Sequence, residues 1–314
     1  MDIPPASVWP LRSLLFLPAH RIDWARKTAS SAVDGVILDL EDSVPPARKA
    51  EARALIAEEI ALLHAQGIAV IVRVNAVGAG CEADIASVVH AGLAGVMLPK
   101  ADSPADIQRL HVLLDAAEAT AGLGAGSVGI IGLPETARGM WFAQEIAAAS
   151  PRVSGLITAM SGPMSGDVAR AFGFQPTVEG HEQLFLQSRI ILASRAAGAM
   201  HPIASVQGTR LDDLAYVEQL ARRARQLGFS GVSVLHPTHV PIANAVFRPS
   251  AEEVAYSQGL IEAMRAAEAR GDGAVSYQGA MVDYAMLPAA LQTIADDARF
   301  RARDARQSPQ PLTR

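Results

Sequence analysis

Residues 35–75 read GVILDLEDSVPPARKAEARALIAEEIALLHAQGIAVIVRVN, and the fold is decided there. GVILDL is a short, nearly continuous apolar run, the pattern of a strand buried on both faces. From residue 47 to 64, Ile and Leu recur three or four positions apart among Ala, Glu and Arg, which predicts an amphipathic helix. IAVIVRVN then returns to the strand pattern. Strand, helix and strand in this order form a βαβ unit, and its two strands are parallel because the helix carries the chain back across the sheet.

The same alternation extends in both directions. Eight apolar runs are legible, at 13–17, 35–40, 68–74, 95–98, 129–133, 154–158, 202–206 and 231–235. Further helical stretches fill 104–121, 137–149, 182–197 and 212–227. An eightfold βα repeat points to an α/β protein with a closed (β/α)8 TIM barrel, ahead of a doubly wound open sheet. After Phe247 the alternation stops. SAEE at 250–253 has the form of a capping box and opens a helix to residue 269, before a GDG turn at 271–273. A short irregular piece and a last helix from Leu287 follow, and the SPQPLTR end, 308–314, is expected to fray. The chain therefore reads as a barrel over 1–249 and a C-terminal helical arm or lid over 250–314.

Composition narrows the function. With 314 residues, 50% of them hydrophobic, the chain has ample material for a core. The 27 basic and 32 acidic residues leave a net charge of −5, which offers no excess of cations for a nucleic-acid backbone. Lysine occurs only at Lys27, Lys49 and Lys100, so arginine carries nearly all the positive charge and a small anionic substrate is expected. The single Cys81 cannot form an internal disulfide, in keeping with a cytoplasmic protein. MDIPPASVWPLR lacks the basic and apolar segments of an export signal, and no apolar run reaches the length of a membrane span, so neither export nor insertion is expected.

In a (β/α)8 barrel the chemistry stands at the carboxyl ends of the strands. Polar residues gather at those ends: His20 and Arg21; Asp39, Glu41 and Asp42; Arg73 and Asn75; Lys100; Glu135 and Arg138; Gln207 and Arg210; His236. Carboxylates after strands two and five, with arginines after strands one and three, suit a hard divalent cation and an anionic substrate, Mg²⁺ rather than zinc. Each acid also has an ordinary reading as a cap of the next helix. Arg73 interrupts an apolar strand, so its guanidinium must meet a carboxylate or an oxyanion. Lys100 reads as a salt-bridge partner at the rim, with Schiff-base chemistry as the alternative.

RSLLFLPAHR, GVILDLEDSVPPARKAEAR, VRVN, AGVMLPKADS, LPETARG, LHPTHVPIANAVFRPSAEEVAYS and the late GAMVD run in order along nearly the whole chain. Together they resemble the citrate lyase β-subunit-like (CitE-like) branch of the HpcH/HpaI aldolase family. The resemblance implies a (β/α)8 barrel, a homotrimer or hexamer, Mg²⁺, and lysis or condensation of short acyl-CoA thioesters such as citryl-, citramalyl- or malyl-CoA. It implies that Glu135 is a metal ligand, that Glu41 and Asp42 hold the metal's waters, and that Arg73 meets the substrate oxygen. Asp283 matches an acid–base residue that some relatives deliver from a neighbouring subunit's arm. Arg12, His20, Lys100, Glu135 and His236 join Arg73 as substrate-binding candidates.

Three positions depart from the family pattern. A Glu-Asp pair expected after strand six, whose Asp is the second metal ligand, falls on Ser161-Gly162. Asp167 is the candidate replacement, although an Asp before a helix is first of all an N-cap, and Ser161, Gly162 and the backbone amides at the helix start are an alternative anion site. Val232 and Ser233 stand where a lysine often precedes the strand-eight block, and Ala204 where many relatives place an acid, which is expected to remove a polar group from the pocket. A 2-keto acid aldolase working without CoA, and a member that has lost catalysis, remain alternatives at this point.

Overall fold

The computed structural model describes residues 8–307 apart from 29, 30 and 165; the expected frayed end, 308–314, lies outside them. The chain divides into two compact units, Met1–Phe247 and Arg248–Arg314.

The first unit is a closed parallel barrel of eight strands in sequential order. They are β1 (Ser13–Pro18), β2 (Gly35–Asp39), β3 (Ala69–Arg73), β4 (Leu93–Pro99), β5 (Gly129–Leu133), β6 (Val153–Ser161), β7 (Ile203–Gln207) and β8 (Gly231–Val234). β8 pairs with β1 to close the ring. Helices lie between the strands. Pro104–Ala121 matches the sequence reading at both ends, whereas 137–149 divides into Ala137–Trp141 and Ala143–Ala148 at Phe142.

Strand side chains alternate between two cores. Leu15 and Leu17, Val36 and Leu38, Val70 and Val72, and Val96 and Leu98 pack outward against the helices. Leu14, Ile37, Ile71, Met97, Ile131, Ile157 and Ile203 fill the interior of the barrel. Continuing the inward parity toward the carboxyl ends brings Asp39, Arg73, Leu133, Ser205 and Gln207 into the upper layer. The same parity corrects the reading of β7: Ala204 belongs to the outer core, and Ser205 is the residue that faces the cavity.

The amino-terminal end of the barrel is held by ion pairs. Arg12 directs Nε and Nη2 onto Asp34 at 2.9 and 2.7 Å, with both side chains almost fully buried. Arg152, at the start of β6, is gripped by Glu118 and Asp115. Conserving this end serves stability, while the opposite end is free for chemistry.

In the second unit the capping box forms as expected: Glu253 N donates to Ser250 Oγ at 3.0 Å and Ser250 N to Glu253 Oε2 at 2.7 Å. The helix they open is Ala251–Ala269. The piece expected to be irregular is a hairpin of β9 (Ala274–Tyr277) and β10 (Ala280–Asp283). Gln278 and Gly279 form its two-residue turn with φ of +47° and +83°, the positive pair such a turn requires. Leu260, Met264, Val282 and Ala290 make a small core beneath the last helix, Leu287–Gln307. No helix among the described residues is long and apolar enough to cross a membrane.

Candidate active site

The register of β2 against β3 sets Asp39 opposite Arg73. Asp39 is buried, and its carboxylate receives Arg73 Nε and Nη2, both at 2.7 Å. It also accepts the backbone N–H groups of Glu41 at 2.9 Å and Ser43 at 3.0 Å, so one acid fixes both the guanidinium and the loop after β2. Glu41 Oε2 lies 2.8 Å from Arg73 Nη1, and the guanidinium stands 5.3 Å from the Phe16 ring centroid. Burial alone would lower the Arg73 pKa; the contact with Asp39, then Glu41 and Asp42, outweighs it, and Arg73 stays protonated. Burial likewise pushes Asp39 upward, but Arg73 reverses this and holds its carboxyl below the usual range.

Lys100 follows β4 with φ of +50°, a left-handed conformation that costs a lysine energy. Its ammonium pairs with Glu41, and its N–H donates to Glu135 Oε1 at 3.2 Å. Burial would lower the Lys100 pKa, but Glu41 and the acids Asp42 and Glu135 keep it raised, which leaves no free amine and supports the salt-bridge reading. Glu41 is itself raised, first by burial, with Lys100 and Arg73 opposing. Asp42 is exposed, 3.9 Å from Arg73 Nη1 and 4.0 Å from Lys100 Nζ.

Glu135 does not cap the helix that follows it. Thr136 does, its Oγ1 accepting from Gly139 N at 2.9 Å while its hydroxyl donates to Asp102. The buried Glu135 carboxylate is therefore left with one long hydrogen bond among the described residues. Its pKa is pushed up to about 7 by burial, then by the negative charges of Glu41 and Asp167, against the pull of Lys100 and Arg73. Asp167 begins the helix Asp167–Phe172, but the N-cap is Gly166 and no side chain caps it, so the capping reading of Asp167 is corrected. Its carboxylate pairs with Arg170.

Asp39, Arg73, Glu135 and Asp167 line one cavity of about 300 Å³ at the carboxyl end of the barrel, with Gln207 and apolar and small residues. Among the described residues no three His, Cys, Asp or Glu side chains converge as a ready-made cage. Mg²⁺ does not need one: it binds through one or two carboxylates and completes its shell with water and substrate oxygens. The lightly bonded Glu135, crowded by other acids and facing the cavity with Asp167, fits that requirement.

Other expected site residues fall elsewhere. Arg12 lies at the amino-terminal end of β1, locked to Asp34, and cannot contact a ligand at this mouth. His20 follows β1 on the rim but does not line the cavity; its Nδ1 is buried without a hydrogen-bond partner among the described residues, and burial with Arg48 and Arg21 lowers its pKa. His236 caps a short turn, with Nδ1 2.7 Å from Thr238 Oγ1, and is also outside the lining. Of the anion site expected at Ser161, Gly162 and the helix start, the first two amides are taken: Ser161 N donates to Gln183 Oε1 at 3.0 Å and Gly162 N to Gln207 O at 2.8 Å. Asp283 belongs to the second unit, where it ends β10 and accepts from Ala285 N at 2.9 Å. Phe16 and Ser205 were not singled out from the sequence, and Asp39 was named there only among the acids after strand two; strand parity is the signal that exposes their places.

Comparison with known proteins agrees with this architecture. A family model described as HpcH/HpaI aldolase/citrate lyase matches residues 12–237. The chain is 34% identical over 302 residues to a citrate lyase subunit beta-like protein of Deinococcus radiodurans, covering 95% of this chain and 100% of the relative. It is 34% identical over 305 residues to an L-malyl-CoA/beta-methylmalyl-CoA lyase of Cereibacter sphaeroides, covering 90% and 93% respectively. Among solved structures, CitE of Mycobacterium tuberculosis in complex with magnesium, acetoacetate and coenzyme A superposes with a TM-score of 0.68 at 30% identity, over 91% of this chain and 97% of that one. The barrel, its site-bearing end and these relatives together place the chain in the HpcH/HpaI aldolase/citrate lyase family, as a lyase of the citrate lyase β-like branch.

Proposed function

We propose that the chain cleaves, or in reverse forms, the carbon–carbon bond between the carbon beside a thioester carbonyl and a carbon bearing a hydroxyl, in a short acyl-CoA such as malyl-, citramalyl- or citryl-CoA. The observation that carries this reading is the pairing, around one cavity, of a lightly bonded buried carboxylate, Glu135, with a guanidinium locked by two acids. Support comes from the malyl-CoA lyase relative and from the M. tuberculosis structure with magnesium and coenzyme A.

Glu135 and Asp167 would hold Mg²⁺. When bound, the ion supplies electrophilic stabilisation to the oxygens of the hydroxy-acid half. Cleavage requires a base to take the hydroxyl proton as that carbon becomes a carbonyl. The electron pair of the breaking bond moves into the thioester as an enolate, and an acid then returns a proton to the enolate carbon. Arg73, already oriented by Asp39 and Glu41, directs its remaining N–H groups at the enolate oxygen, where preorganised positive charge is most effective. Asp283 is the proposed acid–base group, supplied from the arm of a neighbouring copy in a homotrimer or hexamer. A small carboxylate or acyl-CoA is thus the proposed partner, and Mg²⁺ the proposed cofactor.

The test is incubation with malyl-, citramalyl- and citryl-CoA, with Mg²⁺ or with excess chelator. The expected result is metal-dependent release of acetyl-CoA from at least one thioester. Absence of release from all three would discard the CoA lyase reading.

A further inference from the structure

We infer that this site selects thioesters whose hydroxyl-bearing carbon carries hydrogen or a small alkyl group, and disfavours those carrying a second carboxylate there. The inference rests on the proposed lyase reading and adds which acyl group that site accepts. Malyl, citramalyl and citryl groups differ only in this substituent: hydrogen, methyl and carboxymethyl.

The charged groups lining the cavity are Asp39, Arg73, Glu135 and Asp167, three acids and one base. Arg73 is the one cation among the described lining residues, and it is engaged by Asp39 at 2.7 Å and Glu41 at 2.8 Å. The adjacent cation, Lys100, is paired to Glu41 and does not line the cavity. The rest of the lining carries no charge: Phe16, Met97, Leu133, Ile157 and Ala159 are among its apolar members, and Ser43, Ser205 and Gln207 are polar but neutral.

The carboxylate shared by all three acyl groups sits beside the hydroxyl, on the half of the substrate that Mg²⁺ held by Glu135 and Asp167 would serve. Arg73 is assigned to the enolate oxygen. A second carboxylate would then meet apolar carbon, another acid or at best a neutral polar group such as Ser205 or Gln207, without a counter-charge, in a confined cavity where desolvation is costly. Hydrogen or methyl faces no such penalty. Ala159 and Ser205 leave room for it, and contact with Phe16 or Ile157 favours a methyl by a factor on the order of ten.

The experiment compares kcat/KM for malyl-, citramalyl- and citryl-CoA with Mg²⁺ present, together with calorimetric binding of their keto-acid products, glyoxylate, pyruvate and oxaloacetate. Citryl-CoA is expected to fall below citramalyl-CoA by about a hundredfold or more, and oxaloacetate to bind more weakly than pyruvate. Ser205→Lys, which adds a second cation to the lining, is expected to narrow the kcat/KM ratio at least about tenfold. Citryl-CoA turned over as well as citramalyl-CoA, or oxaloacetate bound as tightly as pyruvate, would overturn the inference. If no thioester is turned over the lyase reading fails, and the order of keto-acid binding still decides which substituent the cavity accepts.

Discussion

Arg73 and Glu135 show how far single residues can be read. An arginine inside the apolar run IAVIVRVN signals that its charge meets a partner, and the structure supplies two, Asp39 and Glu41. Which acid faces it is not legible locally, because Asp39 lies 34 residues away and only the strand register brings it opposite. Arg73→Lys keeps the charge but loses the two-pronged grip on Asp39, so kcat/KM is expected to drop about a hundredfold with little change in the unfolding midpoint. Asp39→Ala leaves Arg73 buried with only part of its compensation and is expected to destabilise the fold by about 3 kcal/mol, measured by denaturant unfolding. Glu135 was legible as a candidate from its place after β5, but its freedom from capping depends on Thr136 taking that role. The misplacement of Arg12 has a similar origin: proximity to a recognisable motif does not tell which end of the strand a side chain occupies.

At the scale of elements, the eight strands were legible because each keeps an apolar period that only a doubly covered parallel strand requires. Short elements were not. The hairpin of β9 and β10 has four residues per strand, too few for a period to emerge, and Gln278 gives little notice of a left-handed turn. The amides of Ser161 and Gly162 looked available because Gln183 and Gln207, which occupy them, come much later in the chain. Tight strand packing gives a direct test: a Cβ on Gly155 in β6 would lie 2.0 Å from His201 O, so Gly155→Ala is expected to cost about 2–3 kcal/mol in unfolding free energy. The helix Lys49–Ala65 gives another. It buries Glu59 with neither carboxylate oxygen hydrogen-bonded among the described residues, and burial, then the adjacent Glu58, pushes its pKa to about 8. The folded pKa lies above the unfolded value of 4.5, so the contribution of the neutral acid is complete below about pH 4.5 and is lost as pH rises toward 8. The unfolding free energy of Glu59→Gln relative to the parent should therefore increase across that window, by up to about 1.4 kcal/mol per pH unit, and be flat below it. A parallel pH profile for the two proteins would contradict the buried-acid account.

At the scale of the whole molecule, the barrel end that carries charge and cavity is separate from the end clamped by Arg12–Asp34 and Arg152–Glu118, so stability and chemistry occupy opposite ends of one barrel. If the arm of one copy supplies Asp283 to another, Arg73→Ala and Asp283→Asn preparations, each inactive, should regain activity when mixed under conditions that allow subunit exchange. Failure to regain any activity after confirmed exchange would return Asp283 to a purely structural place at the end of β10. The central claim is that the mouth formed around Glu135 and Arg73 is a magnesium-dependent carbon–carbon lyase site. Its most direct test is acetyl-CoA release from malyl- and citramalyl-CoA by the parent and by Glu135→Gln, alongside calorimetric Mg²⁺ titration of both. The parent should bind Mg²⁺ and release acetyl-CoA only with the metal present, while Glu135→Gln should lose about a hundredfold or more in both affinity and rate; equal rates for the two proteins, or full activity of the parent in excess chelator, would contradict it.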